Sequence, residues 1–344
     1  MTARDVASVA GVSASTVSRA LSRPDEVSER TRAKVLQAAR EMGYPAAATT
    51  RGPIPGRTGA IGLIVPDLEN PFFSAVAKGV QSRARTAGYV VVVADSDEDP
   101  GAEVDLVREM GPRVDGIVLC SPRSPDQVLV QLAQEATLIL VNRPCGDIPT
   151  VEIDNLDGIR QAMGHLRALG HRTIAYAGGP AASWSNGERL AALTLVVAEH
   201  EDTELINLGS FQPYVSGGVA AADMAIASGA TAVVAYNDLV ALGLLDRLRH
   251  RGVAVPSQMS VIGIDNIPMA ALGYPALTSV GIPLVGCGRA GVDMLLGVLR
   301  DPQSPPAYHH DLSFQLVVRD STAPVRADRV PADAHGDRVT AGST

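Results

Sequence analysis

The residues of this chain best placed to do chemistry fall into two groups, each asking for a different partner. The first lies in AGVSASTVSRALS, residues 10–22, where Ser13, Ala14, Ser15, Thr16, Ser18 and Ser22 surround one cation, Arg19. A guanidinium can give two parallel hydrogen bonds to the O6 and N7 edge of a guanine, and a serine hydroxyl can reach several base edges. Hydroxyls and helix N-termini also hold phosphate oxygens, a role open to Ser13, Thr16, Ser28 and Thr31. That chemistry is recognition of double-stranded DNA.

The second group is spread along the chain, and its members follow short apolar runs. Phe72 and Phe73 come after AIGLIVP, Asn142 ends TLILVNR, and Asp154 follows TVEI. Ser183, Ser185 and Arg189 come after TIAYAGG, with Phe211, Asn237 and Asp265 closing the later runs. Ligands of open α/β sheets sit beyond the carboxyl ends of the strands. Aromatic faces beside carboxylate, amide and guanidinium suit a polar ring whose hydroxyls or nitrogens are hydrogen-bonded. Trp184, the single tryptophan, stands among them.

Other chemistries lack their residues. Cys120, Cys145 and Cys287 are far apart without a CxxC, and read as structural thiols of a reducing cytoplasm. His309 and His310 are adjacent and would point to opposite faces of a strand, so no metal is expected. GCGRAG at 286–291 fits the GxGxxG pattern, yet it follows Pro283 in a helical stretch instead of a strand-to-helix turn. No GxSxG elbow or phosphate loop occurs, so neither an enzyme nor a cofactor is expected. No apolar run approaches the ~20 residues of a membrane span. The N-terminus has no secretory pattern, so a cytoplasmic protein is expected.

The elements that must position these groups are legible. Thr2 can cap a first helix, with Asp5 at capping-box spacing, and is counted with the DNA-facing residues. Val6, Val9 and Ala10 supply that helix's apolar face and Gly11 stops it. Ser13 caps a second helix whose Val17, Ala20 and Leu21 point inward. Ser28 caps a third, with Val35, Leu36 and Ala39 inside and Gly43 as the stop. Residues 1–57 carry nine Lys/Arg against five Asp/Glu, or +4, on a chain whose net charge is -8. A basic head on an acidic body implies that only the head approaches a polyanion.

From residue 60 onward, eight apolar runs alternate with helical stretches, which implies parallel sheets covered on both faces. Eight units overfill one sheet, so two lobes are expected. The predicted fold is a small all-α helix-turn-helix headpiece plus an α/β body of two doubly wound parallel-sheet lobes. The headpiece takes 1–45, a Pro/Gly linker 46–57, the body 58–325, and a polar tail read as disordered 326–344. Within the body, one lobe takes about 58–155 plus 282–308, and the other about 156–281 plus 309–325.

ARDVASVAGVSASTVSRALSRPDEVSERTRAKVLQAAREMGY resembles the headpiece of the LacI/GalR family of transcription regulators. The resemblance continues through IGLIVPDLENPFF, HLRALGHRTIAYAGGP, VVAYNDLVALGLLDRLRHRG, VPSQMSVIGIDN, PALTSV and LVVRDSTAP, in the family's order. It implies a homodimer reading a pseudo-palindromic operator, and a periplasmic-binding-protein-like body with a small effector between its lobes. Ala14, Ser15 and Arg19 then take the major-groove reading positions. The cleft residues named above match the family's effector contacts, Asp154 least securely, and Trp184 is added to them from its place in the sequence alone. The implied effector is a sugar, with a nucleobase or nucleoside second; a ligand-binding protein without DNA activity would leave the basic headpiece unexplained.

The linker departs from the family. A Pro-Asn-x-x-Ala-x-x-Leu hinge helix is expected there, but Ala47 stands at the Asn position and Pro53 at the Leu. A helix started near Ala46–Arg51 would be stopped by Gly52, Pro53 and Pro55. The tail lacks a sustained heptad repeat, so a dimer and not a tetramer is expected.

Overall fold

The structure, a computed structural model, describes residues 3–22, 27–42, 57–301 and 312–325. Thr2, the linker residues Ala47, Arg51 and Pro53, and the tail from 326 lie outside the described residues. The first three helices are α1 (Ala3–Ala10), α2 (Ala14–Ser22) and α3 (Glu29–Glu41). Gly11 at φ 66° ends α1, and the Val12 amide donates back to the Ala7 carbonyl at 3.0 Å. This left-handed exit closes the helix C-terminus and turns the chain into α2. Val6, Ala7, Val17, Ala20, Val35, Ala38 and Ala39 form a small core among the three helices.

One expected core residue faces solvent. Val9 is 56% exposed and Ala7 takes the inner position instead. Val6, Ala7 and Ala10 span one face at 100° per residue, and Val9 falls on its far side.

All eight apolar runs fold as strands. The first sheet holds β1 (Ala60–Val65), β2 (Val90–Asp95), β3 (Gly116–Cys120), β4 (Leu138–Val141) and a short β5 (Thr150–Val151). Its order is β2-β1-β3-β4-β5 and every pairing is parallel. Helices α4 (Pro71–Thr86), α5 (Pro100–Met110) and α6 (Asp126–Glu135) make the crossovers. α7 (Asn155–Ala168) then leads into the second sheet of β6 (Thr173–Gly178), β7 (Glu204–Ser210), β8 (Ala232–Ala235), β9 (Ser260–Asp265), β10 (Thr278–Gly281) and β11 (Gln315–Val317). The order there is β11-β10-β9-β8-β6-β7, with β11 alone antiparallel. Its crossovers include α8 (Trp184–Ala198), α9 (Val215–Ala227) and α10 (Asp238–His250). After β10 the chain returns to the first lobe as α11 (Leu284–Arg300), which packs along α4, β3 and β4.

The GCGRAG glycines therefore sit inside α11, where they let it approach its neighbours. A methyl on Gly288 would collide with the Val76 carbonyl oxygen of α4, and one on Gly291 would press on Val141 and Val118. Among the described residues no helix is long and apolar enough to cross a membrane.

Candidate DNA-reading face and inter-lobe cleft

On the headpiece the hydroxyls are tied into caps. The Thr16 amide donates to Ser13 Oγ at 3.1 Å, and Ser13 Oγ also meets Ser15 Oγ at 2.8 Å and Thr16 Oγ1 at 2.7 Å. Thr31 repeats this toward Ser28, with its amide at 3.3 Å and its hydroxyl at 2.9 Å. Ser15 and Arg19 are exposed, Ala14 and Thr16 half-buried. Arg19 Nε rests on the Ser15 carbonyl one turn back at 3.3 Å, the one hydrogen bond its guanidinium makes among the described residues. Ser18 and Ser22 lie on the same helix.

In the body, the carboxyl ends of the strands converge, as ligand sites of open parallel sheets require. Phe72, Phe73, Asn142, Ser185, Arg189, Asn237 and Asp265 line one cleft between the lobes. Asn70 caps α4 by accepting the Phe72 amide at 3.0 Å, which sets the two rings edge to face with centroids 4.9 Å apart. Asn142 Nδ2 donates to Ser121 Oγ at 2.9 Å in its own lobe and to Ser185 Oγ at 3.0 Å in the other. Its buried Oδ1 has no partner among the described residues. Asn237 caps α10 by accepting the Val240 amide at 2.9 Å.

Arg189 and Asp265 face each other across the second-lobe wall. Arg189 Nε donates to Asn155 Oδ1 at 3.1 Å and Nη1 to the Tyr236 carbonyl at 2.5 Å; its guanidinium lies 5.0 Å from the Tyr236 ring centroid. Nη2 stands 3.9 Å from Asp265 Oδ1, and no hydrogen bond among the described residues reaches that carboxylate. Burial pushes the Asp265 carboxyl well above the usual range, with Arg189 opposing and Asp238 reinforcing.

Backbone strain gathers at the same place. Asp97, Glu98, Ser121, Asn142, Asp265 and Asn266 are the non-glycine residues at positive φ among those described, and all follow or end a strand at the cleft. Each costs on the order of 1–3 kcal/mol, which the surrounding fold must overcome. The remaining free volume of the cleft is about 20 Å³, the size of a water.

Three expected cleft residues stand elsewhere. Asp154 caps α7, accepting the amides of Leu156 at 3.0 Å and Asp157 at 3.2 Å. It lines a separate hollow of about 340 Å³ together with Trp184. Ser183 caps α8 and meets the Tyr236 hydroxyl at 2.9 Å, so it orients a wall residue. Phe211 packs beside the second lobe's core. Conversely, Glu98, Ser121, Arg123 and Tyr236 line the cleft and were not anticipated. The rule that singled out residues beyond strand ends would have found the first three, had it been applied after YVVVVAD and DGIVLCS. Among the described residues no group of His, Cys, Asp and Glu could hold a metal ion.

A helix-turn-helix headpiece joined to two parallel-sheet lobes defines a DNA-binding transcriptional regulator. Residues 2–46 match the model of bacterial regulatory proteins of the lacI family, and residues 163–322 that of the periplasmic binding protein-like domain. The ribose operon repressor of Halalkalibacterium halodurans is 30% identical over 323 residues, covering 93% of this chain and 97% of its own. The repressor CytR of Escherichia coli K12 is 32% identical over 331 residues, covering 93% and 96%. The lac repressor dimer bound to operator and the anti-inducer ONPF superposes with a TM-score of 0.76 at 26% identity, covering 94% of this chain and 99% of that one. The regulator CelR in complex with cellobiose gives 0.69 at 30% identity, covering 93% and 99%. The chain belongs to the LacI family of bacterial regulatory proteins.

Proposed function

We propose that this chain is a cytoplasmic homodimeric repressor whose hold on a pseudo-palindromic operator is set by a sugar bound between its lobes. The observation that carries the effector reading is the pair of unanswered acceptors in the cleft. Asn142 Oδ1 has no donor among the described residues, and the Asp265 carboxylate accepts no hydrogen bond from them. A ring with adjacent hydroxyls supplies such donors and lays its C–H face against Phe72 and Phe73. Relatives named for ribose and solved with cellobiose support this class of ligand. A nucleobase would use the same rings but brings fewer donors.

Control follows from the bridge between lobes. Asn142 Nδ2 to Ser185 Oγ joins them directly, and a ligand hydroxyl competes for both groups. Binding therefore shifts the population between closed and opened lobes, and with it the spacing of two headpieces. In this reading Ala14, Ser15 and Arg19 take the base-reading positions, while Ser13, Thr16, Ser28 and Thr31 hold phosphates. The domain limits proposed from sequence, 1–45, 46–57 and 58–325, assign these roles to separate units.

The dimer is supported by apolar side chains left in solvent. Val90 and Val92 on the edge strand β2 are 65% and 46% exposed, and Leu272 and Tyr274 are 83% and 97%. Two headpieces on one dimer would meet half-sites about one DNA turn, ~34–36 Å, apart. Light scattering on the intact chain should give twice its mass. A mobility shift on selected operator DNA, weakened or strengthened by a sugar, tests the function; DNA binding indifferent to every sugar would remove the effector reading.

A further inference from the structure

We propose that the Glu98–Arg123 pair in the first-lobe wall sets the cleft for an uncharged, hydroxylated ligand and rejects anionic ones. The effector is then a free sugar, not a phosphate ester or a sugar acid. This rests on the cleft being the effector site, as argued above.

Arg123 is a buried cation that is already spoken for. Its Nε donates to Glu98 Oε2 at 2.5 Å and its Nη2 to Glu98 Oε1 at 2.8 Å, a bidentate fork. Its Nη1 donates to the Ser121 carbonyl at 2.6 Å. The main chain is fixed as firmly. The amides of Arg123 and Ser124 donate to the two oxygens of Glu103 at 2.8 and 3.1 Å, and Glu103 reaches them from α5 with 1% exposure. On the other side Glu98 is held at φ 59°, its amide on the Pro66 carbonyl at 2.8 Å. The pair is thus preformed on both sides.

At the Arg123 end of the cleft Glu98 answers the cation directly, while Arg189 faces Asp265 on the other wall at 3.9 Å. A phosphate that takes the N–H groups Glu98 leaves free lies beside that carboxylate, and one that displaces Glu98 leaves the carboxylate buried and unpaired. Either way like charges are buried together or a buried pair is broken, and both are costly. A hydroxyl faces no such conflict. Of the five N–H groups of Arg123 three are engaged and two are left, and each Glu98 oxygen keeps a lone pair. One hydroxyl, or two neighbours, can donate to Glu98 and accept from Arg123 without parting them.

The test is a thermal-shift and calorimetric panel on the intact chain with matched pairs. The pairs are ribose and ribose 5-phosphate, glucose and glucose 6-phosphate, cytidine and cytidine 5′-monophosphate, with inorganic phosphate alone. The uncharged member of a pair should bind and its phosphate ester should not, and inorganic phosphate should leave the melting temperature unchanged. Glu98→Gln should keep the fork's geometry but free the charge of Arg123, raising affinity for the esters and for phosphate about tenfold or more. Glu98→Gln combined with Arg123→Met should lose that gain. A phosphate ester bound by the wild type as tightly as its parent would overturn the proposal, with no variant needed. So would a Glu98→Gln protein, folded by circular dichroism, that gains no response to anions. Binding of cytidine but no sugar would sink the sugar reading and leave the charge rule standing. Binding of ribose 5-phosphate over ribose would do the reverse.

Discussion

Gly288 on α11 lies against Gly79 on α4 so closely that a methyl on either would strike the other helix's backbone: Val76 O for Gly288, Val285 O for Gly79. The second lobe repeats the device, where a methyl on Gly218 of α9 would strike Val240 O and one on Gly243 of α10 would strike Val215 O. Each lobe thus closes one face with two helices in backbone contact. Gly288→Ala should destabilise the body by about 1–3 kcal/mol, the usual cost of overpacking. Urea unfolding would read this as a lower midpoint at constant slope. An unmoved midpoint would mean that α11 slides freely on α4.

Asp265→Ala should remove the effector response and spare operator binding without effector. At a sugar concentration of 100 times Kd, the wild type should gain about 2.7 kcal/mol by mass action, and the variant should gain none. A variant that still responds in full would take Asp265 out of the binding set.

Arg19→Ala should weaken the preferred operator by about 1–3 kcal/mol and relax the choice of base at one position. Thr16→Ala should instead weaken all sequences alike, because its hydroxyl sits at the helix N-terminus where phosphates are held. Selection from random DNA reads both. An unchanged base preference in Arg19→Ala would make Arg19 a backbone contact.

Asp238 should impose a pH dependence of stability. Burial pushes its carboxyl up to about 7, although Ser279 Oγ donates to Oδ1 at 2.6 Å and the Ile267 amide to Oδ2 at 2.8 Å. The usual value is 3.8, so the folded chain holds this proton more tightly than the unfolded one. Its contribution is therefore full below the unfolded value and is lost as pH rises toward 7, by up to ~1.4 kcal/mol per unit. Asp238→Asn should delete that slope between pH 4 and 7. Parallel melting curves for the two proteins across that range would show that Asp238 titrates at its ordinary value.

The headpiece and the strand framework were legible in the residues themselves, because their determinants are local. Gly11 can turn left-handed where other residues resist, Ser13 and Ser28 satisfy the amides three residues on, and Val17 and Ala20 share a helix face. Most of the apolar runs form strands buried on both faces, which a continuous apolar stretch announces, while β2 and β7 at the sheet edges stay partly exposed. The linear pattern also located most of the cleft, since residues at the carboxyl ends of parallel strands must converge. It misplaced Val9 because two valines three apart look equivalent until the third helix fixes which side is inside.

Tertiary structure alone decided the rest. Glu98 and Arg123 are 25 positions apart, and their fork forms because β2 and β3 flank β1 in the sheet, which brings the loops after them together over its end. Chain order does not contain that adjacency. Nor does it separate Asp154, spent on capping α7, from Asp265, left without a hydrogen bond from the described residues; both are carboxylates at or just past a strand end. Local sequence sets which backbone bends where, but a side chain's partner is whatever the packing of distant elements leaves within 3 Å of it, and that is fixed only when the lobes close.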